Sequence, residues 1–322
     1  MLDQFGRKIE YLRISVTDRC NLRCKYCMPE DGIHMVKHED ILSYDEILRL
    51  VNIFSKLGFS KVKLTGGEPL VRKDLSVLVK GLKEIEGIEE VTLTTNGALF
   101  ESVAVDLWEA GIDKINFSLD TLNPKKYEEI TRKNEFYNVL SGIDKALEFN
   151  LKTSINVVTL KNYNFEEIAD LAGMAYSKPI DVRFIEMMPI GLGNEFTGYF
   201  GNEILDELVK EFGEPDHIIG KTGNGPARFY HFKGFKGNIG IISSISNNFC
   251  DACNKVRLKS DGFLKLCLGQ EDGIDLKALL RSNMTDDEIL YLIKSTIYNK
   301  PKGHEFLNAD KSDKTPMSEI GG

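Results

Sequence analysis

What the sequence lacks already excludes several kinds of protein. Its longest apolar runs span a handful of residues, far fewer than the roughly 20 that cross a bilayer. Residues 1–4 show neither the basic region nor the apolar core of a signal peptide, so we expect a cytoplasmic protein with no membrane partner. Basic residues are also too few, since 41 against 49 acidic residues give a net charge of -8, which argues against nucleic acid as a partner.

Cysteine is scarce as well, with six residues among 322. Thiols in a reducing compartment stay reduced, and a chain of this length needs no disulfide framework to fold. The balance of 42% hydrophobic and 28% charged residues is that of an ordinary globular protein, so a sizeable apolar core is expected. The spacing of the six cysteines must therefore explain their presence.

Between residue 10 and about residue 190, short β-rich runs alternate with helix-length amphipathic stretches, which predicts repeated βα units around a parallel sheet. We predict six strands, at residues 11–16, 61–65, 91–95, 114–119, 154–158 and 181–186. Six units are too few for a closed eight-stranded barrel. The expected fold is α/β, a partial (βα)6 TIM-like barrel or else a doubly wound sheet, with ligands at the carboxyl ends of the strands.

The first long helix is predicted closely, including both of its ends. Ser43 and Glu46 are placed to form a capping box before it, and Gly58 is placed to end it. Its apolar residues recur at helical spacing and would face the sheet. They are Ile47, Leu50, Val51, Phe54 and Leu57.

A glycine-rich stretch at residues 220–226 marks a change in the pattern of the chain. It predicts a domain boundary, with the partial barrel in residues 1–220 and a smaller α+β cluster-binding unit in residues 221–322. The C-terminal unit has two hairpin-like β segments and two helices, at residues 227–232, 238–242, 276–281 and 286–297.

Three cysteines crowd the loop after the first predicted strand. Cys20, Cys24 and Cys27 have three and then two residues between them, and three thiolates so close together indicate a metal. A structural zinc ion would want a fourth protein ligand. Three cysteines instead suit three corners of a [4Fe-4S] cluster whose fourth iron stays open, while zinc and buried free thiols are the alternatives.

This motif resembles that of the radical S-adenosylmethionine (SAM) superfamily, in which the open iron chelates the amine and carboxylate of SAM. A Gly-Gly-Glu-Pro segment at residues 66–69 would on its own be a turn. In register with the cysteines it matches the superfamily segment that meets the SAM amino group. The resemblance implies SAM contacts at Tyr26, Gly67, Glu68, Ser118 and Met188.

The second triad, Cys250, Cys253 and Cys267, has two and then thirteen residues between its members. Spacing alone leaves two interpretations open. A zinc ribbon is one, because the first two cysteines have zinc-like spacing and His231 or His304 would supply the fourth ligand. A second [4Fe-4S] cluster is the other.

With Gly321 and Gly322 at the C-terminus, the two triads resemble the GTP 3',8-cyclase family, which begins molybdenum cofactor biosynthesis. The resemblance covers nearly the whole chain, from residues 5–7 through residues 12–20 to residues 320–322. It implies a lyase with two [4Fe-4S] clusters and SAM as cofactors and with GTP as substrate.

The family chemistry starts at the first cluster, which donates the electron that cleaves SAM. The 5'-deoxyadenosyl radical then takes H3' from the ribose of GTP, and the C3' radical attacks C8 of guanine to form 3',8-cyclo-7,8-dihydro-GTP. The second cluster holds the guanine. The resemblance gives catalytic roles to Arg257 and to Gly321 and Gly322, which reach into a site where only residues without side chains fit.

A triphosphate carries about four negative charges, so an acidic protein must concentrate cations where it binds. Strand alternation puts residues 255 and 257 on one face. The GTP contacts of the family match Arg13, Lys63, Thr94, Lys255 and Arg257.

Three positions depart from the family pattern. Lys63 and Lys255 stand where the family often has arginine, so they keep the charge but lose the bidentate geometry of a guanidinium. Ser154 lies where the family commonly offers a lysine. These changes bear on affinity for GTP and leave the type of reaction unaffected.

The resemblance leaves the partners only partly specified. The electron donor is unidentified, the chain is a monomer or a homodimer, and hand-over of the product to the cyclic pyranopterin monophosphate synthase is undecided. Two other functions stay open, a radical SAM peptide maturase with an auxiliary cluster and a non-catalytic zinc-binding interaction protein. Peptide maturases usually have more cysteines and an added peptide-binding module, which favours the cyclase.

Overall fold

The computed structural model describes residues 1–33, 36–221, 225–306 and 315–321. All its strands belong to one mixed sheet. They are β1 (Tyr11–Ser15), β2 (Lys61–Thr65), β3 (Glu90–Thr95), β4 (Lys114–Ser118), β5 (Lys152–Thr159), β6 (Asp181–Glu186), β7 (His217–Lys221), β8 (Arg228–His231), β9 (Ile239–Ile242), β10 (Lys255–Leu258), β11 (Phe263–Lys265) and β12 (Gly273–Asp275).

The helices follow the strands in regular alternation through the first two thirds of the chain. None of the described helices is long and apolar enough to cross a membrane. They are α1 (Tyr44–Lys56), α2 (Leu75–Lys83), α3 (Phe100–Glu109), α4 (Pro124–Thr131), α5 (Phe136–Glu148), α6 (Ile168–Ser177), α7 (Gly201–Phe212), α8 (Leu276–Leu280), α9 (Asp286–Tyr298) and α10 (Met317–Ile320).

The strands β1 to β6 stand side by side in chain order and run parallel, each followed by at least one helix. This confirms the predicted α/β class and the six βα units, and each predicted strand overlaps its observed counterpart to within two residues at either end. The ligand-binding edge is therefore expected where these strands end.

The last third of the chain extends both edges of this parallel sheet. At one edge β10 pairs parallel with β1 and is followed by the antiparallel strands β11 and β12. At the other edge β9 pairs parallel with β6, and β8 and β7 follow. The predicted boundary at residue 220 stays a prediction, but the hairpin of β7 and β8 spans it.

Side chains alternate across the sheet, as the pleat requires. Leu12 and Ile14 of β1 are fully buried in the apolar layer between the sheet and the outer helices. Arg13, between them, faces the opposite side. The same alternation on neighbouring strands gives the sheet one apolar face and one polar face, and the polar face is the interior of the partial barrel.

Both ends of α1 confirm the predicted capping box and the predicted C-terminal glycine. The Ser43 side chain accepts a hydrogen bond from the Glu46 N–H at 3.1 Å, and the Glu46 carboxylate accepts from the Ser43 N–H at 2.8 Å. Gly58, just beyond the helix, has a φ of +84°. This conformation suits glycine and ends the helix.

Candidate active site

The first cysteine triad lies on the loop that follows β1. Cys20, Cys24 and Cys27 are free thiols and are partly buried. Burial raises the pKa of Cys20 to about 11 and that of Cys27 to about 12, so these thiols keep their protons unless a strongly positive partner binds. A coordinated metal supplies that charge, because it deprotonates the thiols that bind it.

The two triads supply three free thiols each. Within the part of the chain that the structure describes, no three His, Cys, Asp or Glu side chains are close enough to hold one ion. A structural zinc ion needs four ligands at about 2.0 to 2.3 Å. Three thiols leave a zinc ion one ligand short, whereas a [4Fe-4S] cluster is held by cysteine thiolates.

Two glycines bring the loop after β2 against the backbone that leads into the first triad. The Gly67 N–H donates to the carbonyl of Thr17 at 2.8 Å. A Cβ on Gly67 would lie 2.5 Å from the carbonyl oxygen of Arg19, and one on Gly66 would lie 2.7 Å from that of Thr17. Since only glycine permits this approach, the Gly-Gly-Glu-Pro segment positions the loop of the first triad.

Glu68 ties the same loop to β3. Its buried carboxylate accepts hydrogen bonds from the Thr95 hydroxyl and the Asn96 N–H, both at 2.6 Å, and burial raises its pKa to about 7. The Asn96 side chain donates to the side-chain oxygen of Asn21 at 2.8 Å and lies 3.9 Å from the Cys20 sulfur. Asn96 therefore belongs to the site, although no sequence motif pointed to it.

Tyr26 is held by a buried carboxylate that the sequence analysis also missed. Its hydroxyl donates to Asp120 at 2.6 Å, and the other oxygen of Asp120 accepts from the Val158 N–H at 2.8 Å. Burial raises the pKa of Asp120 to about 6. Asp120 follows β4 by two residues, so its place at the carboxyl end of a predicted strand was the one available signal.

The predicted SAM contacts lie at the carboxyl ends of the strands. Ser118, at the end of β4, lines a small cavity of about 30 Å³ together with Cys24, Tyr26 and Asp120. Met188 follows β6 and packs against the apolar cluster of Ile190, Phe306 and Ile320. The structure brings these residues to one side of the sheet, and their roles toward SAM stay predictions.

The second triad lies at the amino end of β10. Cys250 and Cys253 share a short 3-10 turn that leads into β10, and Cys267 follows β11. Burial raises the pKa of Cys250. Burial acts on Cys253 in the same sense, but the positive charges of Lys300 and Lys255 outweigh it, so the pKa of Cys253 is lowered.

The two histidines considered as zinc ligands have other partners. The ring of His304 contacts the carbonyl of Ser244 at 3.0 Å and stacks on Phe306. The ring of His231 contacts the side-chain oxygen of Asn238 at 3.2 Å. Neither arrangement is that of a fourth ligand to the second triad, which weighs against a zinc ribbon.

A layer of cations lines the interior of the partial barrel. Arg13 stands in register with Arg257 on one side and with Lys63 on the other, and Lys255 occupies the same face of β10. Burial, followed by repulsion from neighbouring cations, lowers the pKa of Lys63 well below its usual range and that of Arg257 to about 9. An interior that gathers like charges in this way is suited to a polyanion.

Arg183 joins this layer from β6 and was not among the predicted site residues. It is half-buried, and its guanidinium donates to the side-chain oxygen of Asn116. Asn116 stands in register with Thr94 and Ser154, so the predicted threonine and the departing serine border the same interior. Alternation along the predicted strand at residues 181–186 was a signal that pointed Arg183 inward.

The C-terminal segment, residues 315–321, enters this interior. The carbonyl of Gly321 accepts a hydrogen bond from Arg257 at 2.9 Å. Its φ is +84°, and a Cβ there would lie 2.8 Å from that of Ser15 and 2.9 Å from the Thr65 hydroxyl. The backbone of Ser318 lies close to the Cys27 thiol, so the segment reaches from the first triad to the cation layer. Gly322 lies outside the described residues.

Family comparisons divide the chain into two parts. Residues 14–175 match the radical SAM superfamily, and residues 180–306 match the family described as Molybdenum Cofactor Synthesis C. Two relatives are both named GTP 3',8-cyclase. The one from Clostridium perfringens is 46% identical and the one from Desulforamulus reducens is 44% identical, and each alignment covers all of both chains.

Solved structures of lower identity share the fold. Streptococcus suis SuiB bound to S-adenosylmethionine matches 92% of this chain and 71% of its own at a TM-score of 0.57 and 16% identity. Native anSMEcpe with bound AdoMet and a peptide matches 89% of this chain and 83% of its own at a TM-score of 0.55 and 17% identity. At such identity the likeness extends to the architecture alone.

Proposed function

Because this chain belongs to the GTP 3',8-cyclase family of radical SAM enzymes, we propose that it converts GTP to 3',8-cyclo-7,8-dihydro-GTP, the first step of molybdenum cofactor biosynthesis. The reaction makes it a lyase. The observation that carries the proposal is the cation-lined interior, which lies between two cysteine triads and contains Gly321 against Arg257. A peptide substrate would give no reason to gather so many cations in one interior.

Each triad would hold one [4Fe-4S] cluster through three thiolates. Cys20, Cys24 and Cys27 would bind the first cluster, and Cys24 lines the same cavity as Tyr26 and Ser118. When bound, this cluster supplies the electron that splits SAM into methionine and a 5'-deoxyadenosyl radical. The protein residues around it position SAM and exclude water.

GTP would bind with its phosphates on the cation layer. Arg13, Lys63 and Arg257 lie in adjacent register on three neighbouring strands, so they contact the polyanion from one continuous surface. Arg183 approaches from β6. Buried cations interact strongly with phosphate because little water screens them.

Cys250, Cys253 and Cys267 would hold the second cluster at the amino end of β10, where an iron without a protein ligand would bind the guanine. Lys255 directly links this triad to the interior, because it begins β10 two residues after Cys253. The Arg257 guanidinium holds the Gly321 carbonyl between the clusters. We infer that the C-terminal segment closes the space in which the ribose and the base react.

The partners and location remain part of the proposal. We propose a cytoplasmic enzyme that takes electrons from a donor still to be identified. We expect a monomer or a homodimer, and hand-over of the product to the cyclic pyranopterin monophosphate synthase stays undecided. A peptide maturase is disfavoured because full-length relatives at 40–46% identity are named GTP 3',8-cyclase.

The test is anaerobic reconstitution of the full chain with iron and sulfide, followed by incubation with SAM, a strong reductant and GTP. We expect roughly eight irons per chain and 5'-deoxyadenosine formation that depends on GTP, with the cyclised nucleotide as product. A protein that binds zinc, or one whose SAM cleavage is indifferent to GTP, would show that the assignment is wrong. ATP is the matched control nucleotide.

A further inference from the structure

Lys300 is a buried cation that has no part in the proposed cyclisation of GTP. It follows the end of α9 by two residues, is 2% exposed, and ranks among the largest fully buried side chains of the protein. Placing an ammonium group in the interior costs several kcal/mol unless other groups compensate it. The groups around the Lys300 ammonium should therefore indicate the role of the residue.

No carboxylate among the described residues forms an ion pair with Lys300. Its ammonium group donates instead to the carbonyl of Leu266, the residue directly before Cys267. A neutral carbonyl satisfies one of the three donors but does not balance the charge. The ammonium group therefore lies against the backbone that leads into Cys267, beside the second triad.

The backbone of Lys300 is held in place by the N-terminal segment. Its carbonyl accepts from the side chains of Gln4 and Arg7, each at 3.4 Å. Arg7 also donates to the Cys250 carbonyl at 2.9 Å, and its own charge is balanced by Asp3 at 2.6 Å. Arg7 therefore fixes Lys300 and the Cys250 turn in one arrangement, while Lys300 contributes the unbalanced charge.

We propose that Lys300 is a buried counter-charge for the second iron-sulfur cluster, and that it holds the reduction potential of that cluster above the value that three thiolates alone would set. The inference rests on the proposed second cluster. Net charge around a cluster is one of the factors that set its potential, because a nearby cation stabilises the reduced and more negative state. Lys300 is a positioning residue in this sense.

The test compares the full chain with Lys300→Met and Lys300→Arg variants after anaerobic reconstitution. The midpoint potential of the second cluster is measured by redox titration followed by electron paramagnetic resonance, with its signal assigned by loss in Cys253→Ala. We expect a lower potential in Lys300→Met, a potential near that of the wild type in Lys300→Arg, and an unchanged potential for the first cluster. An unchanged potential in a fully loaded Lys300→Met protein overturns the proposal.

Two controls separate charge from folding. Lys265→Met removes another buried lysine of the same region, whose ammonium donates to the Gln270 carbonyl, and should shift the potential less. If Lys300→Met does not take up the second cluster, Lys300→Gln keeps a donor for Leu266 while losing the charge, and the same fall in potential is expected. A wild-type protein that binds only about four irons would instead refute the second cluster itself.

Discussion

The guanidinium of Arg257 donates a hydrogen bond to the carbonyl oxygen of Gly321 at 2.9 Å. The two residues are 64 positions apart, and their contact anchors the C-terminal segment inside the partial barrel. Arg257 belongs to a strand that pairs with β1, so the segment is tied to the same surface that carries the cations. The proposed chemistry depends most on this placement of the C-terminal segment.

Gly321→Ala should stop cyclisation while leaving both clusters in place. A Cβ would meet Ser15 at 2.8 Å, in a left-handed conformation that disfavours alanine. A displacement of about 1 Å costs on the order of 100-fold in rate, measured as cyclised product per minute with iron content as the check. Gly213→Ala, also at positive φ but with nothing within 4 Å, should retain activity; equal rates for the two variants would mean that Gly321 has no such role.

Replacing one cysteine of each triad should separate two activities. Cys24→Ala should abolish SAM cleavage, whereas Cys253→Ala should retain it and lose cyclisation. Each variant should lose roughly four of about eight irons. The measurements are 5'-deoxyadenosine by chromatography and iron by colorimetry. Continued SAM cleavage in Cys24→Ala would contradict the assignment of the first cluster.

The Tyr26 hydroxyl and the Asp120 carboxylate should be energetically coupled. Their hydrogen bond of 2.6 Å is part-buried, and a bond to a charged group contributes about 1.5 to 3 kcal/mol. A double-mutant cycle of Tyr26→Phe and Asp120→Asn, followed by denaturant unfolding of the cluster-free protein, should give a coupling of that order. Additive effects would show that the contact does not hold the loop of the first triad.

Arg183→Gln should weaken GTP binding without affecting SAM. Loss of one charged hydrogen bond to phosphate corresponds to roughly 10- to 100-fold in Kd, which equilibrium binding of GTP would measure. Arg228→Gln is the control, because Arg228 is exposed and lies over the ring of Tyr230. If both substitutions change GTP affinity equally, the interior cation layer is not the phosphate site.

Glu68 should make folding stability depend on pH in an unusual direction. Its pKa is about 7 in the folded protein and 4.5 when the carboxyl is exposed, so between these values the folded state keeps a proton that the unfolded state releases. Stability should therefore fall as pH rises from about 5 to about 8, by up to about 3 kcal/mol from this group. The free energy of unfolding should be measured against pH for the cluster-free protein and for its Glu68→Gln variant. Parallel curves of unfolding free energy for the two proteins would contradict the expectation.

Local features of the sequence determined the fold class and the two triads. Hydrophobic periodicity marks strands and helices because each element must bury one face, and Ser43 and Glu46 show their capping box within four residues. The cysteines of the first triad lie within eight positions, so any folded loop keeps them together. The full-length resemblance supplied the family, and the comparisons with known proteins confirm it.

Only the tertiary structure decided which distant residues meet. Periodicity does not encode strand order, so nothing in the sequence showed that β9 and β10 add to opposite edges of one sheet. That order places Arg183 and Arg257 in one interior and brings Gly321 against Ser15 and Thr65, at the ends of β1 and β2. Lys300 likewise reaches the second triad through a contact 34 residues away, because side chains far apart in the chain become neighbours only when the register of the sheet is set.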